Sequence, residues 1–173
     1  MESIRALADE VEKFGEHVES LKRKIDELFK KLEEKERALE EVKSRLLKVE
    51  QEVLEVLRKL KEKEHELSEL RHKIARHRKL LSEADSPREY EVLSEQRRKL
   101  VERAERVSKE IEELRQKYRE LVFEENRLLD EEEKLERELR NLKRDYQFYL
   151  RELERLMESL KGRICQVQER FSL

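Results

Sequence analysis

Turn-forming residues are almost missing from this chain, which has two glycines and one proline in 173 residues. A compact domain of that length must reverse direction many times, and so few turn formers exclude an ordinary globular fold. Tryptophan is absent and only 36% of the residues are apolar, enough for a narrow stripe but not for a broad core. Cys165 is the sole cysteine, so no disulfide and no cysteine zinc site can form within one chain. It reads as a small apolar residue near the C-terminus. No stretch approaches the roughly 18 to 20 consecutive apolar residues of a membrane span. The N-terminus, with Glu2, Asp9 and Glu10, has no basic-then-apolar signal layout. A soluble cytoplasmic protein without membrane contacts is expected.

What is present is charge, at half of all residues. Disordered chains share that property but lack a sustained apolar period, and this chain has one. Stepping by sevens from Ile4 to Leu81 meets twelve aliphatic residues without a break. A second series three residues on, from Leu7 to His77, is apolar at eight of eleven positions, the exceptions being Lys35, Lys63 and His77. These are the a and d positions of a coiled coil. The abundance of Glu, Lys and Arg over Asn, Gln, Met and Cys leans towards a thermophilic source.

The pattern is punctuated once. Ser86 fits an N-cap, Pro87 the first helical position, and Glu89 the third position of a capping box. Proline also pushes the residue before it out of the helical region. The seam changes phase here: continuing the first series predicts an a position at residue 88, whereas the second half places it at Tyr90. From Tyr90 the new seam runs through Leu93, Arg97, Leu100, Ala104, Val107, Ile111, Leu114, Tyr118, Leu121, Glu125, Leu128, Glu132, Leu135, Leu139, Leu142, Tyr146, Tyr149, Leu153 and Leu156 to Leu160, with Arg97, Glu125 and Glu132 as its charged members.

Two helices of similar length and a short link favour an all-α, long antiparallel two-helix coiled-coil hairpin over a parallel dimer of one kinked helix. The expected layout is a single hairpin over 1–173, with arm 1 at 2–84, the turn at 85–86 and arm 2 at 87–173. Polar seam residues leave two registers open. A centre near residue 83 or 84 sets Lys35 opposite Glu132 and His77 opposite Tyr90. A centre near 87 sets Lys35 opposite Leu139 and His77 opposite Arg97. A polar pair inside the seam would penalise slipped registers; alternatively Lys35 and Lys63 bury their stems and extend their ammonium groups to water.

Nothing in the sequence points to catalysis, which needs groups converging in a water-excluding cavity. His17, His65, His72 and His77 form no i, i+4 pair, and neither a Gly-rich phosphate loop nor an H-E-x-x-H motif occurs. The expectation is a non-enzymatic protein with no metal and no cofactor.

Charge and apolar residues off the seam mark two candidate contact regions. Residues 71 to 106 hold eleven Lys or Arg against seven acids, a local charge of +4 that leaves −6 for the rest. The candidate basic tip comprises Arg76, Arg78, Lys79, Arg88, Arg97, Arg98 and Lys99, able to touch RNA, DNA or an acidic protein; ordinary pairing of flanking charges is the plainer reading. At the open end, Leu150, Met157, Ile164 and Phe171 repeat by sevens beside the seam, where positions 163 and 170 are Arg. A stutter would draw Met157, Ile164 and Phe171 into the seam. Phe148 and Leu150 remain off it, beside Phe29, so Phe148, Leu150, Met157, Ile164 and Phe171 are candidates for partner binding or homodimerisation. Val122, Phe123 and Leu129 form a smaller group of the same kind.

The segment Arg88-Glu89-Tyr90-Glu91-Val92-Leu93-Ser94-Glu95 resembles the post-turn motif, K/R-E-Y-x-x-L followed by an acid, of bacterial proteins that join a long helical hairpin to a C-terminal four-cysteine zinc ribbon. The resemblance implies an adaptor that binds other proteins, with nucleic acid as a second ligand class and flagellar or secretion-linked roles in some members. This sequence has no C-x-x-C pair, so the ribbon's functions do not carry over and a truncated or ribbonless relative is expected. The expected function is a coiled-coil scaffold or adaptor for protein partners. A nucleic-acid-binding module using the tip and a parallel-dimer rod are the alternatives.

Overall fold

The computed structural model describes residues 4–171, in which two helices account for nearly every residue: α1, Ile4–Ser82, and α2, Pro87–Arg170. They pack side by side as an antiparallel hairpin. Residues 1–3 and 172–173 of the expected arms lie outside the described residues.

The link is longer than the two residues expected. α1 stops at Ser82, not near Ala84, because its last turn tightens: the Glu83 N–H donates to the Leu80 carbonyl (3.2 Å) and the Ala84 N–H to that of Leu81 (3.4 Å). The Ser82 hydroxyl donates to the Lys79 carbonyl at 2.6 Å, occupying another acceptor that α1 leaves free at its end. Past the link, the Glu89 N–H donates to Ser86 Oγ (3.1 Å), the N-cap bond expected. The reciprocal half of the box reaches one residue further than usual, Glu89 accepting from the Asp85 N–H at 3.4 Å.

Every buried apolar residue occupies a predicted seam position. Contacts divide the chain into two units. In the turn unit, Ser44–Leu129, the seam buries Leu46, Val49, Val56 and Leu70 of α1 against Val107, Ile111, Leu121 and Leu128 of α2. Leu70, Val107 and Ile111 form a cluster joined by Leu67, Leu100 and Ala104. In the open-end unit, residues 4–43 with 130–171, Leu21, Leu32 and Val42 are buried on α1 and Leu135 and Leu139 on α2.

The register is the one centred near residue 87. Lys63 with Glu110 and His77 with Gln96 in the turn unit, and Lys35 with Glu138 and Glu10 with Arg163 in the open-end unit, each lie equidistant in sequence from the Ser86–Pro87 bond. Lys35 therefore meets Glu138 rather than Glu132. Its ammonium leaves the seam to pair at the rim (2.7 Å), so the pair inside the seam does not form and the lysine reaches outward instead, where it meets an acid as well as water.

The stutter does not occur. Leu156, Leu160, Arg163 and Val167 keep the seven-residue phase, while Met157 and Ile164 stay half exposed. Arg163 is retained on the seam side because its Nε contacts both carboxylate oxygens of Glu10, at 3.0 and 3.2 Å. Phe29 also packs elsewhere than expected. Its ring lies 6.2 Å from that of Tyr146, whereas Phe148 meets Tyr149 edge-on at 5.4 Å.

Candidate functional site

At the open end the two helices leave an apolar groove of about 180 Å³, lined mainly by Leu7, Val11, Phe14, Leu160, Ile164 and Val167. Ile4 and Val11 occupy a positions of the α1 seam yet are 79% and 64% exposed. The cause lies across the pair. Arg163 sits where an apolar residue would cover Val11, and its guanidinium turns to Glu10 instead. Of the five open-end candidates, Met157, Ile164, Phe171 and Phe148 are each about half exposed and Leu150 is partly covered. Ile164 lines the groove. Sequence periodicity overlooked Val11, because a residue in a regular a position is expected to be buried by its own pair.

At the turn end the cations divide by partner. Arg98 is held by Glu95 and by Glu102 (2.7 Å to the latter), which keeps the Glu95 carboxyl below the usual carboxylate range and the guanidinium above its ordinary value. Arg97 points into the seam, where its Nε is buried without a hydrogen-bond partner. Arg76, Arg78, Lys79, Arg88 and Lys99 form no ion pair among the described residues. The expected tip is thus five available cations and two committed ones.

The reason is visible in the flanking positions. In antiparallel pairs, g residues face g residues and e residues face e residues. Towards the middle of the turn unit this gives Glu66 with Arg103 (3.1 Å) on one flank and Glu64 with Arg115 (3.4 Å) on the other. Seven residues nearer the turn, the same offsets bring Lys73 opposite Gln96 and Arg71 opposite Ser108. The charge ladder runs out of acids. On the first flank, His77, Gln96, Lys99, Leu100, Glu102, Arg103 and Arg106 line a groove of about 450 Å³. His77 crosses its floor, Nε2 lying 3.2 Å from Gln96 Oε1 and Nδ1 3.0 Å from the Lys73 carbonyl.

Elsewhere the seam lysines set local electrostatics. The hydrogen bond from Lys35 holds Glu138 below the usual carboxylate range, and that from Arg103 does the same for Glu66. Lys63, bonded to Glu110 at 2.7 Å, is raised above its ordinary value. Among the described residues no group of three or more His, Cys, Asp or Glu converges as a metal site, and no helix is long and apolar enough to cross a membrane.

The chain matches no protein-family model and no curated protein. Among solved structures it is similar to the HP0958 protein from Helicobacter pylori, with 25% sequence identity and a TM-score of 0.61 over 98% of this chain and 77% of that one.

Proposed function

We propose that the protein is a non-enzymatic coiled-coil scaffold or adaptor that binds another protein at its open end. One observation carries this reading: Val11 and Ile164 are both substantially exposed on the rim of an apolar groove that their own helices leave unfilled. Contiguous apolar surface next to a polar rim is what a protein partner covers, and Glu10 and Arg163 supply that rim. The likeness to a solved structure along nearly the whole chain, at a TM-score of 0.61, supports the architecture on which the reading depends.

A photo-crosslinking side chain at position 164, introduced in the native cell, tests the proposal. A discrete adduct that disappears when Val11 is changed to Glu supports it. An adduct of twice the chain mass identifies the partner as a second copy. Absence of any adduct, with a crosslinker at exposed Phe123 as the background control, overturns it.

A further inference from the structure

The turn unit carries on one flank a surface that its own ion pairs do not consume. The g and c positions there can be traced in lines of seven. Glu66, Lys73 and Leu80 form one line on α1, with Arg76 beside it; Val92, Lys99 and Arg106 form one on α2, with Gln96 and Arg103 beside it. Arg103 is taken by Glu66. Lys73, Arg76, Lys99 and Arg106 form no ion pair among the described residues. Between these cations and the turn stand two exposed apolar residues, Leu80 and Val92, one on each helix and 40% and 52% exposed. Lys99 and Arg106 line the 450 Å³ groove together with Leu100 and the acid Glu102.

From this placement we infer that the flank is a docking site for an acidic, amphipathic segment of a partner protein, whose carboxylates meet Lys73, Arg76, Lys99 and Arg106 while its apolar side chains cover Leu80 and Val92. Charge complementarity sets the sign of the partner, because four cations on one face of a chain with a net charge of −2, none in an ion pair among the described residues although Lys99 acts at longer range on Glu95, attract a local excess of acid. The apolar pair and the interleaved acids set its class. A phosphate backbone gains most from a continuous positive track and nothing from Leu80 and Val92. Here Glu95 and Glu102 interrupt the track by holding Arg98. A helix laid along the groove matches both kinds of residue, since acids and apolar residues recur on adjoining faces of one helix.

The inference rests on the scaffold reading but uses the turn unit rather than the open-end unit, so the two fail separately. Fluorescence anisotropy of three labelled probes on the intact chain tests it. These are a synthetic amphipathic helix with Leu at a and d and Glu elsewhere, a poly-glutamate peptide of equal charge, and a single-stranded oligouridylate. The amphipathic helix is expected to bind tightest. Its affinity should fall about tenfold or more in a K99E/R106E variant and again in L80S/V92S, while R71E/R78E on the opposite flank, with the same change of charge, has little effect. Thermal melts check that each variant is folded. Equal loss in the two charge variants would reduce the effect to net charge and overturn the site. Tighter binding of the oligouridylate would overturn the partner class in favour of nucleic acid, and no binding of the amphipathic helix at low salt would overturn the inference altogether. An M157E/I164E variant should leave tip binding intact.

Discussion

Leu128 has no exposed surface at all, whereas Phe123, five residues earlier on the same helix, is 73% exposed. The larger side chain contributes less, because stabilisation follows area removed from water rather than size. Leu128→Ala is expected to cost about 3 kcal/mol in chemical unfolding, through lost burial and the cavity it leaves. Phe123→Ser should change stability by less than about 0.5 kcal/mol. Titration supplies a second expectation at this scale. Glu66, Glu95 and Glu138 are held below the ordinary carboxylate value of 4.5, so their contribution is present above that pH and is lost as pH falls through their lower folded values. Lys63 is raised above 10.5, so its contribution is complete below that pH and disappears above it. Melting temperature should therefore be flat between about pH 5 and 10 and fall on both sides, with Glu138→Gln making the acid limb shallower. Each pair is exposed and screened, so each effect is small.

The elements were legible in the sequence to different depths. A strict seven-residue period identified both helices and every buried position, since a two-helix core is nothing but its seam. Ser86, Pro87 and Glu89 located the start of α2 for a local reason, as capping uses neighbours in sequence. The end of α1 carries no such signal: the tightened turn at Leu80 to Ala84 follows from how the link closes, and moved the boundary by two residues. Register was undecided, because a seven-residue slip leaves the apolar pattern unchanged and only Lys35, Lys63 and Arg163 finding acids across the pair distinguish the alternatives. The open end was misread as a stutter for the same reason; the choice between Arg163 and Ile164 depends on Glu10, 153 residues away. Which of the eleven cations of residues 71–106 are left without an ion pair depends on what stands opposite, which periodicity alone does not disclose. Ser86→Ala should destabilise the hairpin by about 1 kcal/mol, and Ser86→Gly by less, in thermal or chemical unfolding. Equal stability of Ser86→Ala and the parent chain would show that water replaces the cap.

For the molecule as a whole, the proposed scaffold reading rests on two candidate contact regions, one in each unit. Its resistance to unfolding should vary along the chain. Amide exchange is expected to be slowest around Leu70, Val107, Ile111 and Leu128 and faster by orders of magnitude around Ile4, Val11 and Ile164, where seam positions stand open to water. Uniform protection from end to end would show instead that the hairpin opens only as one unit.

The constant register about the Ser86–Pro87 bond also gives the chain a direction in time. His77 and Gln96 close a separation of 19 residues, Lys24 and Tyr149 one of 125, and Glu10 and Arg163 one of 153. Once the turn has formed, each new layer needs only the next few residues to come together, whereas starting at the free ends requires closing nearly the entire chain in one step. Folding is therefore expected to proceed as a zipper drawn from the turn, with the two glycines, Gly15 and Gly162, in its last teeth, where helix is intrinsically weakest. A partner seated at the open end, as proposed above, would be the stop that keeps the zipper from running back.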